Sequence, residues 1–490
     1  MGNASKSKMR WYNLAMMGFM SVWGFGNIVN NYANQGLRIV VSWILIMSLY
    51  FIPYVLMVGE LGSVFNKTQS GLGEWIKETS FSKNASFLAY LAGWTYWVVH
   101  IPYIARKPHG VLISLSWVLT GSGELIKKFS SSKIQILCLI IFLIFMYFSS
   151  RGVNSLKKLA TIAGSSMFIM SILYIILMIA APFMVDLKSA TPNLLAMKNF
   201  IPKFDLTYFA TLSMLVFAVG GCEKLSPYVS NCENPTKEFP RAMILLAIMV
   251  IISAVLGSVA MGMMFNSNAI PKDLKMNGSY YSFKLLGQYY GLGNFFLILY
   301  AAAVFTVQIS GFIIAIDAPL KVLLSEADER YIPKALAKKN KNGVLINGYK
   351  LTAVLVGILM LIPALGIGDF NNLFTWLLDL NSIVMPMRYL WVFFAYICLR
   401  KNEERFDLQY KAFKNRKFAL ILGGWCFFFT AFACIMGMIP KGAELFSGEW
   451  YFKLALNIGT PFVLLGLGLI LPIIARKTNG KVSVKDDIKA

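Results

Sequence analysis

Glu223 and Lys224 stand side by side just past Gly220-Gly221, in a stretch otherwise rich in Leu, Val, Phe and Ala. A carboxylate in such surroundings binds a proton, senses the charge of a ligand or forms an ion pair, as desolvation and its neighbours dictate. A second polar group, Arg106, Lys107 and His109, interrupts the apolar text of 85–119. A charge in mid-span costs about 3 kcal/mol on insertion scales unless it reaches water or a partner. Adjacent helical residues point about 100° apart, so Arg106 and Lys107 are not expected to face one cavity. A cation held here attracts a carboxylate. The alternative is snorkelling, or a salt bridge to Asp379 or Glu223. Asp317 and Asp379 are themselves accounted for by pairing with Lys321 or Arg388, and Glu60 reads as structural.

These groups need elements that break where the chemistry is. Gly24-Phe25-Gly26 interrupts the first apolar run and leads into Asn27, Asn30 and Asn31; Gly220-Gly221 interrupts the sixth, with Pro227 beyond. Glycine inside a helix costs about 1 kcal/mol and proline about 3. Unwound backbone at membrane depth is tolerated only where it lines a cavity or is buried in protein. An unwound first helix offers free N–H groups and a partial positive charge at Gly24, Phe25, Gly26 and Asn27, suited to a carboxylate. Carbonyls freed at Val219, Gly220 and Gly221 suit an ammonium. The competing reading is close helix packing at small residues.

The 490 residues are 57% hydrophobic and 14% charged, against roughly 25% charged in an average soluble domain. Twelve apolar runs are expected to cross about 30 Å of hydrocarbon as helices: 11–32, 39–61, 85–119, 134–149, 159–184, 208–229, 243–265, 294–324, 351–367, 373–399, 419–439 and 454–474. The first is expected to be a retained span, not a cleaved leader. Splitting 85–119 around its polar segment would give thirteen spans and spoil the charge asymmetry. With twelve, and setting aside six basic residues inside or at the edge of spans (Arg38, Arg106, Lys107, Lys224, Lys321 and Arg388), 29 Lys and Arg fall on the side of the termini and 11 opposite, which places both termini in the cytoplasm of a cell (inner or plasma) membrane. The net charge of +23 is therefore topological and predicts no nucleic-acid partner; the basic stretch after 324 faces anionic lipid. The broken runs are five apart and start from opposite sides, which makes an inverted repeat; paired broken helices point to a transporter binding site. The predicted organisation is a tail (1–10), a first half (11–184), a second half (208–399), two further helices (419–474) and a tail (475–490). Six scattered cysteines and two histidines predict no disulfide, metal site or cofactor.

Several segments resemble the amino acid–polyamine–organocation superfamily. FAVGGCEKLSPYVSNCENPTKEFPRA, from Phe217, is similar to its sixth-helix signature, whose tail falls on Glu233, Asn234, Pro235, Phe239, Pro240, Arg241 and Ala242. VGELGSVFNKTQSGLGEWI (58–76) looks like the second-helix end, and 319–348 like the eighth-helix exit, with ADER at 327–330 in place of ARDG. WGFGN (23–27) and HIPYIA (100–105) resemble the bacterial glutamate/GABA-antiporter branch. The resemblance implies an all-α membrane protein of LeuT type: twelve transmembrane helices, a 5+5 inverted repeat plus two C-terminal helices. It implies alternating access and puts Phe217 at the aromatic that closes over substrate. The family's sodium-replacing lysine lies in the fifth span; 162–172 has none, so that device does not carry over.

The expected function is secondary transport of small amino acids or their amine derivatives, as a sodium-independent exchanger. A proton-coupled importer is the alternative. A membrane-embedded enzyme lacks clustered histidines, paired carboxylates or a Ser/Lys dyad, and a receptor lacks an outer domain. Monomer and homodimer both remain open.

Overall fold

The computed structural model describes residues 10–66, 71–123, 129–150, 156–324, 328–341, 343–361, 370–441 and 443–479. It is helical, and its helices follow the apolar runs. Helix α1 (Trp11–Val22) stops where Trp23 and Gly24 become extended, and α2 (Phe25–Gln35) restarts from Gly24. At Gly36 (φ +59°) the chain turns against Ser267, which occupies the place of a β-carbon; only glycine fits both conditions. Helix α3 (Ile39–Ile46) continues through a π-turn (Met47–Phe51) into α4 (Ile52–Val64), and α5 (Leu72–Thr79) follows.

Only Val99 separates α6 (Ala85–Val98) from α7 (His100–Thr120), so 85–119 is one run. Helices α8 (Ser131–Ser150) and α9 (Leu156–Met184) complete the first half. Helix α10 (Leu206–Val219) is capped by Asp205, which accepts from Tyr208 N, and stops at Gly220. Gly221, at φ +114°, turns the chain into a 3-10 segment (Cys222–Asn231), and α11 (Pro235–Met264) follows. The connection 266–293, between two of the expected spans, contains a helix, α12 (Leu274–Tyr289).

Helices α13 (Phe295–Leu324) and α14 (Ile346–Leu361) lead to a third interruption. Helix α15 (Phe370–Val384) ends at Met385-Pro386 and α16 (Met387–Lys401) restarts from it. Helix α17 (Arg416–Gly437) is followed by α18 (Gly448–Gly466), a 3-10 turn (Leu467–Leu469) and α19 (Ile470–Thr478).

Among the described residues, nine stretches are long and apolar enough to cross a membrane, and Ile346–Leu361 is a shorter apolar helix. The first span escapes that count because its break cuts α1 to 12 residues; α7 holds two histidines, an arginine and a lysine. Large apolar side chains on α8, α17 and α18 are exposed (Ile140, Leu143, Ile421, Phe428, Phe462), as on a lipid-facing surface. The polar breaks lie inside, where α1, the 3-10 segment, α7, α13 and α16 meet.

A candidate substrate site between broken helices

The two expected breaks face each other. Asn27 Nδ2 donates to Val22 O (3.3 Å) and Ala218 O (3.2 Å), one carbonyl from each interrupted helix. A β-carbon on Gly221 would lie 3.4 Å from Ser21 O. The Asn27 amide thus caps freed carbonyls of both interrupted helices. The first N–H groups of α2, at Phe25 and Gly26, have no acceptor one turn back, and a β-carbon on Gly24 or Gly26 would meet nothing within 4 Å. Open space therefore lies in front of a helix N-terminus. The Phe25 side chain points elsewhere, buried between Tyr174, Phe283 and Tyr300 (centroids 4.7, 5.0 and 5.7 Å), so only its backbone is available to a ligand. Val219 and Gly220 are buried; Phe217 is half-buried on the last turn of α10, its carbonyl accepting from Gly220 N.

Glu223 is committed. Its Oε1 lies 2.9 Å from Arg388 Nε, with both side chains buried, and Tyr54 donates its hydroxyl to Oε2. Arg388 Nη1 donates to His100 Nε2 (2.9 Å), so that nitrogen is the acceptor and His100 carries its proton on Nδ1, directed at Tyr96 O (2.6 Å). The guanidinium also lies over the Tyr96 and Tyr389 rings (5.3 and 5.0 Å). This network ties the break after α10 to the break before α16. Tyr54 on Glu223 and His100 on Arg388 meet part of the charge of a pair this deep.

Lys224 and Lys107 converge instead. Their ammoniums lie 5.6 and 4.7 Å from the ring centroid of Tyr103, within cation–π range. Lys107 Nζ also donates to Gln308 Oε1 (3.1 Å) on α13. Gly311, one turn further along that helix, leaves room for the ammonium: a β-carbon there would lie 3.1 Å from it. Neither lysine has a carboxylate among the salt bridges of the described residues. The proposed bridges from Arg106 or Lys107 to Asp379 or Glu223 do not form, since Asp379 pairs with Lys275 and Lys441 and Glu223 with Arg388. Asp317 pairs with Lys321 (2.5 Å), as expected. Arg106 is half-buried; His109 is buried, its Nδ1 3.2 Å from Ala105 O in its own helix. Glu60 is structural: Arg400 Nη1 (2.8 Å), Ala412 N (2.9 Å) and Tyr396 OH (3.2 Å) all donate to it. No group of three or more metal-ligating side chains occurs among the described residues.

Sequence reasoning missed Tyr103, Gln308, Tyr54, Arg388 as the partner of Glu223, and the break at Met385-Pro386. One signal was available: Tyr103 is one turn from Lys107 on a helix.

Residues 9–460 match the family model described as amino acid permease. The chain is 51% identical over 481 residues to the aspartate/glutamate permease AcaP of Lactococcus lactis subsp. cremoris, covering 98% of each chain. It is 22% identical to the inner membrane transporter YjeM of Escherichia coli over 90% of this chain and 91% of that one. It is also 22% identical to a glutamate/gamma-aminobutyrate antiporter of Lactococcus lactis subsp. lactis, over 84% of this chain and 80% of the relative. These relatives are permeases and transporters and not enzymes, and a multi-pass helical membrane protein with paired broken helices is what such a transporter requires. The chain belongs to the amino acid permease family.

Proposed function

We propose that this permease carries acidic amino acids, aspartate and glutamate, by alternating access, as a sodium-independent exchanger in the cell membrane with both termini cytoplasmic. The observation that carries this reading is the convergence of Lys107 and Lys224 on Tyr103 beside the two broken helices, with no carboxylate bound to either. Two ammoniums without a carboxylate partner in low-dielectric surroundings repel each other and are stabilised by an anion.

An acidic amino acid has a carboxylate for each end of such a site. Its α-carboxylate meets the N–H groups of Phe25 and Gly26; its ammonium meets carbonyls at the Val219–Gly221 break; its side-chain carboxylate reaches Lys107 and Lys224. Glu223 holds the break in shape through Arg388 and does not touch substrate. The relative that is 51% identical over nearly full length is an aspartate/glutamate permease, which supports the same substrate class. Competition tests it. In proteoliposomes, unlabelled aspartate and glutamate should displace labelled aspartate uptake, whereas alanine, lysine and agmatine should not. Equal displacement by neutral amino acids would overturn the acidic-substrate reading.

A further inference from the structure

A second set of cations surrounds one carboxylate further along the molecule. Asp379, on α15, lies 3.5 Å from Lys275 on α12 and 3.8 Å from Lys441 in the α17–α18 connection, both through the same oxygen, Oδ1. The three side chains are only 14%, 15% and 12% exposed for Lys275, Asp379 and Lys441. The distances exceed ordinary charge-assisted hydrogen bonds, which run about 2.7–2.9 Å. Asp379 Oδ1 and Lys441 Nζ are both shielded from solvent and make no hydrogen bond. Burial pulls the Lys441 ammonium below the usual lysine range, against the opposing attraction of Asp379.

Glu60 is buried more deeply than Asp379, yet both its oxygens receive close donors, from Arg400 on one side and Ala412 and Tyr396 on the other. A buried ion pair is stable when its remaining lone pairs and protons are met. The Asp379 cluster does not meet them, and it holds two ammoniums for one carboxylate. Other charges nearby are otherwise engaged: Lys453 pairs with Glu449 (2.6 Å), and Asp273 accepts from Asn277 and Tyr281.

Its position gives the cluster a use. Two residues beyond Asp379 on α15, Asn381 Nδ2 donates to Pro102 O, the neighbour of Tyr103 (3.4 Å). Lys275 sits on α12, which covers α2 through Phe283 on Phe25 and covers α7 through Tyr280 stacked on Trp117 (5.2 Å). The cluster therefore joins the covering helix to α15 close to the proposed substrate site.

We propose that Lys275 and Lys441 form a second, outer carboxylate-binding site, which an acidic amino acid occupies in exchange for Asp379. The incoming carboxylate takes the two ammoniums, Asp379 is released, and the ionic tie between α12 and α15 opens. The proposal takes its ligand class from the acidic-substrate reading above. Electrostatic capture at such a mouth speeds association and fades with salt.

Equilibrium binding of radiolabelled aspartate to the detergent-solubilised full chain at low ionic strength tests it. Replacing Asp379 by Asn removes the internal competitor, so D379N should bind about two aspartates per chain where the unaltered protein binds about one. D379N/K441Q should return to about one. A stoichiometry unchanged in monodisperse D379N would overturn the outer site. If the unaltered protein binds none and D379N binds about one, the outer site stands and the acidic reading of the central site falls. K441Q supplies an independent measurement should D379N not fold. It should raise the transport KM for aspartate roughly tenfold, mainly at low salt, with central-site affinity unchanged; an unchanged KM at low salt would also overturn the proposal.

Discussion

At the scale of single residues, Lys107 makes the sharpest statement. Its ammonium holds a hydrogen bond to Gln308 and faces Tyr103, so in K107Q an incoming carboxylate loses a charge-assisted bond worth about 1.5–3 kcal/mol. Aspartate affinity should fall roughly ten- to a hundredfold, read by equilibrium binding, with R106Q milder; wild-type affinity in K107Q would remove the lysine from the site. Gly26 gives a second test. A β-carbon there meets no protein atom within 4 Å, so G26A should fold and insert normally while losing transport, because the methyl group enters the space before the α2 N-terminus. The same change at Gly221 is less clean, since φ +114° strains any side-chain-bearing residue there. The glycines, Glu223, Lys224 and Lys107 were legible because a polar or breaking residue stands out in apolar text. Tyr103 and Gln308 were not, because a lone tyrosine or glutamine in a helix looks alike whether it lines a site or fills a core. The partner of Glu223 lies 165 residues away, at Arg388, and local spacing carries no information about such a pair.

At the scale of elements, the breaks are held open by packing as well as by glycine's conformational freedom. The Tyr389 ring occupies the place a Gly220 side chain would take, so α16 fills the gap at the end of α10. Overpacking of this kind costs about 1–3 kcal/mol. G220A should therefore lower the melting temperature, and G220A/Y389A should recover part of the loss; a fully additive double variant would show that the two sites do not touch. The described helices follow the long apolar runs, residues 362–367 of the run 351–367 lying outside the described residues, and 85–119 is one run despite Pro102 and Pro108. The interruption at Met385-Pro386 escaped notice because a single proline resembles an ordinary kink. Helix α12 escaped because its buried face (Leu274, Gly278, Phe283, Leu286) is interleaved with lysines and tyrosines, and a segment of only 16 residues competes with no membrane span for attention.

At the scale of the whole molecule, the charge asymmetry of 29 to 11 predicts that 338 and 414 lie inside the cell. Cysteines introduced there, K338C and K414C, should resist impermeant thiol reagents in intact cells and react after permeabilisation; ready labelling of intact cells would reverse the topology. Exchange of acidic amino acids at the paired breaks is read by counterflow: purified protein in proteoliposomes loaded with unlabelled aspartate and diluted into sodium-free buffer with a trace of labelled aspartate. Label should accumulate transiently, and the accumulation should disappear when the internal aspartate is omitted or replaced by alanine. Absence of accumulation with aspartate inside, or accumulation only when sodium is added, would contradict it.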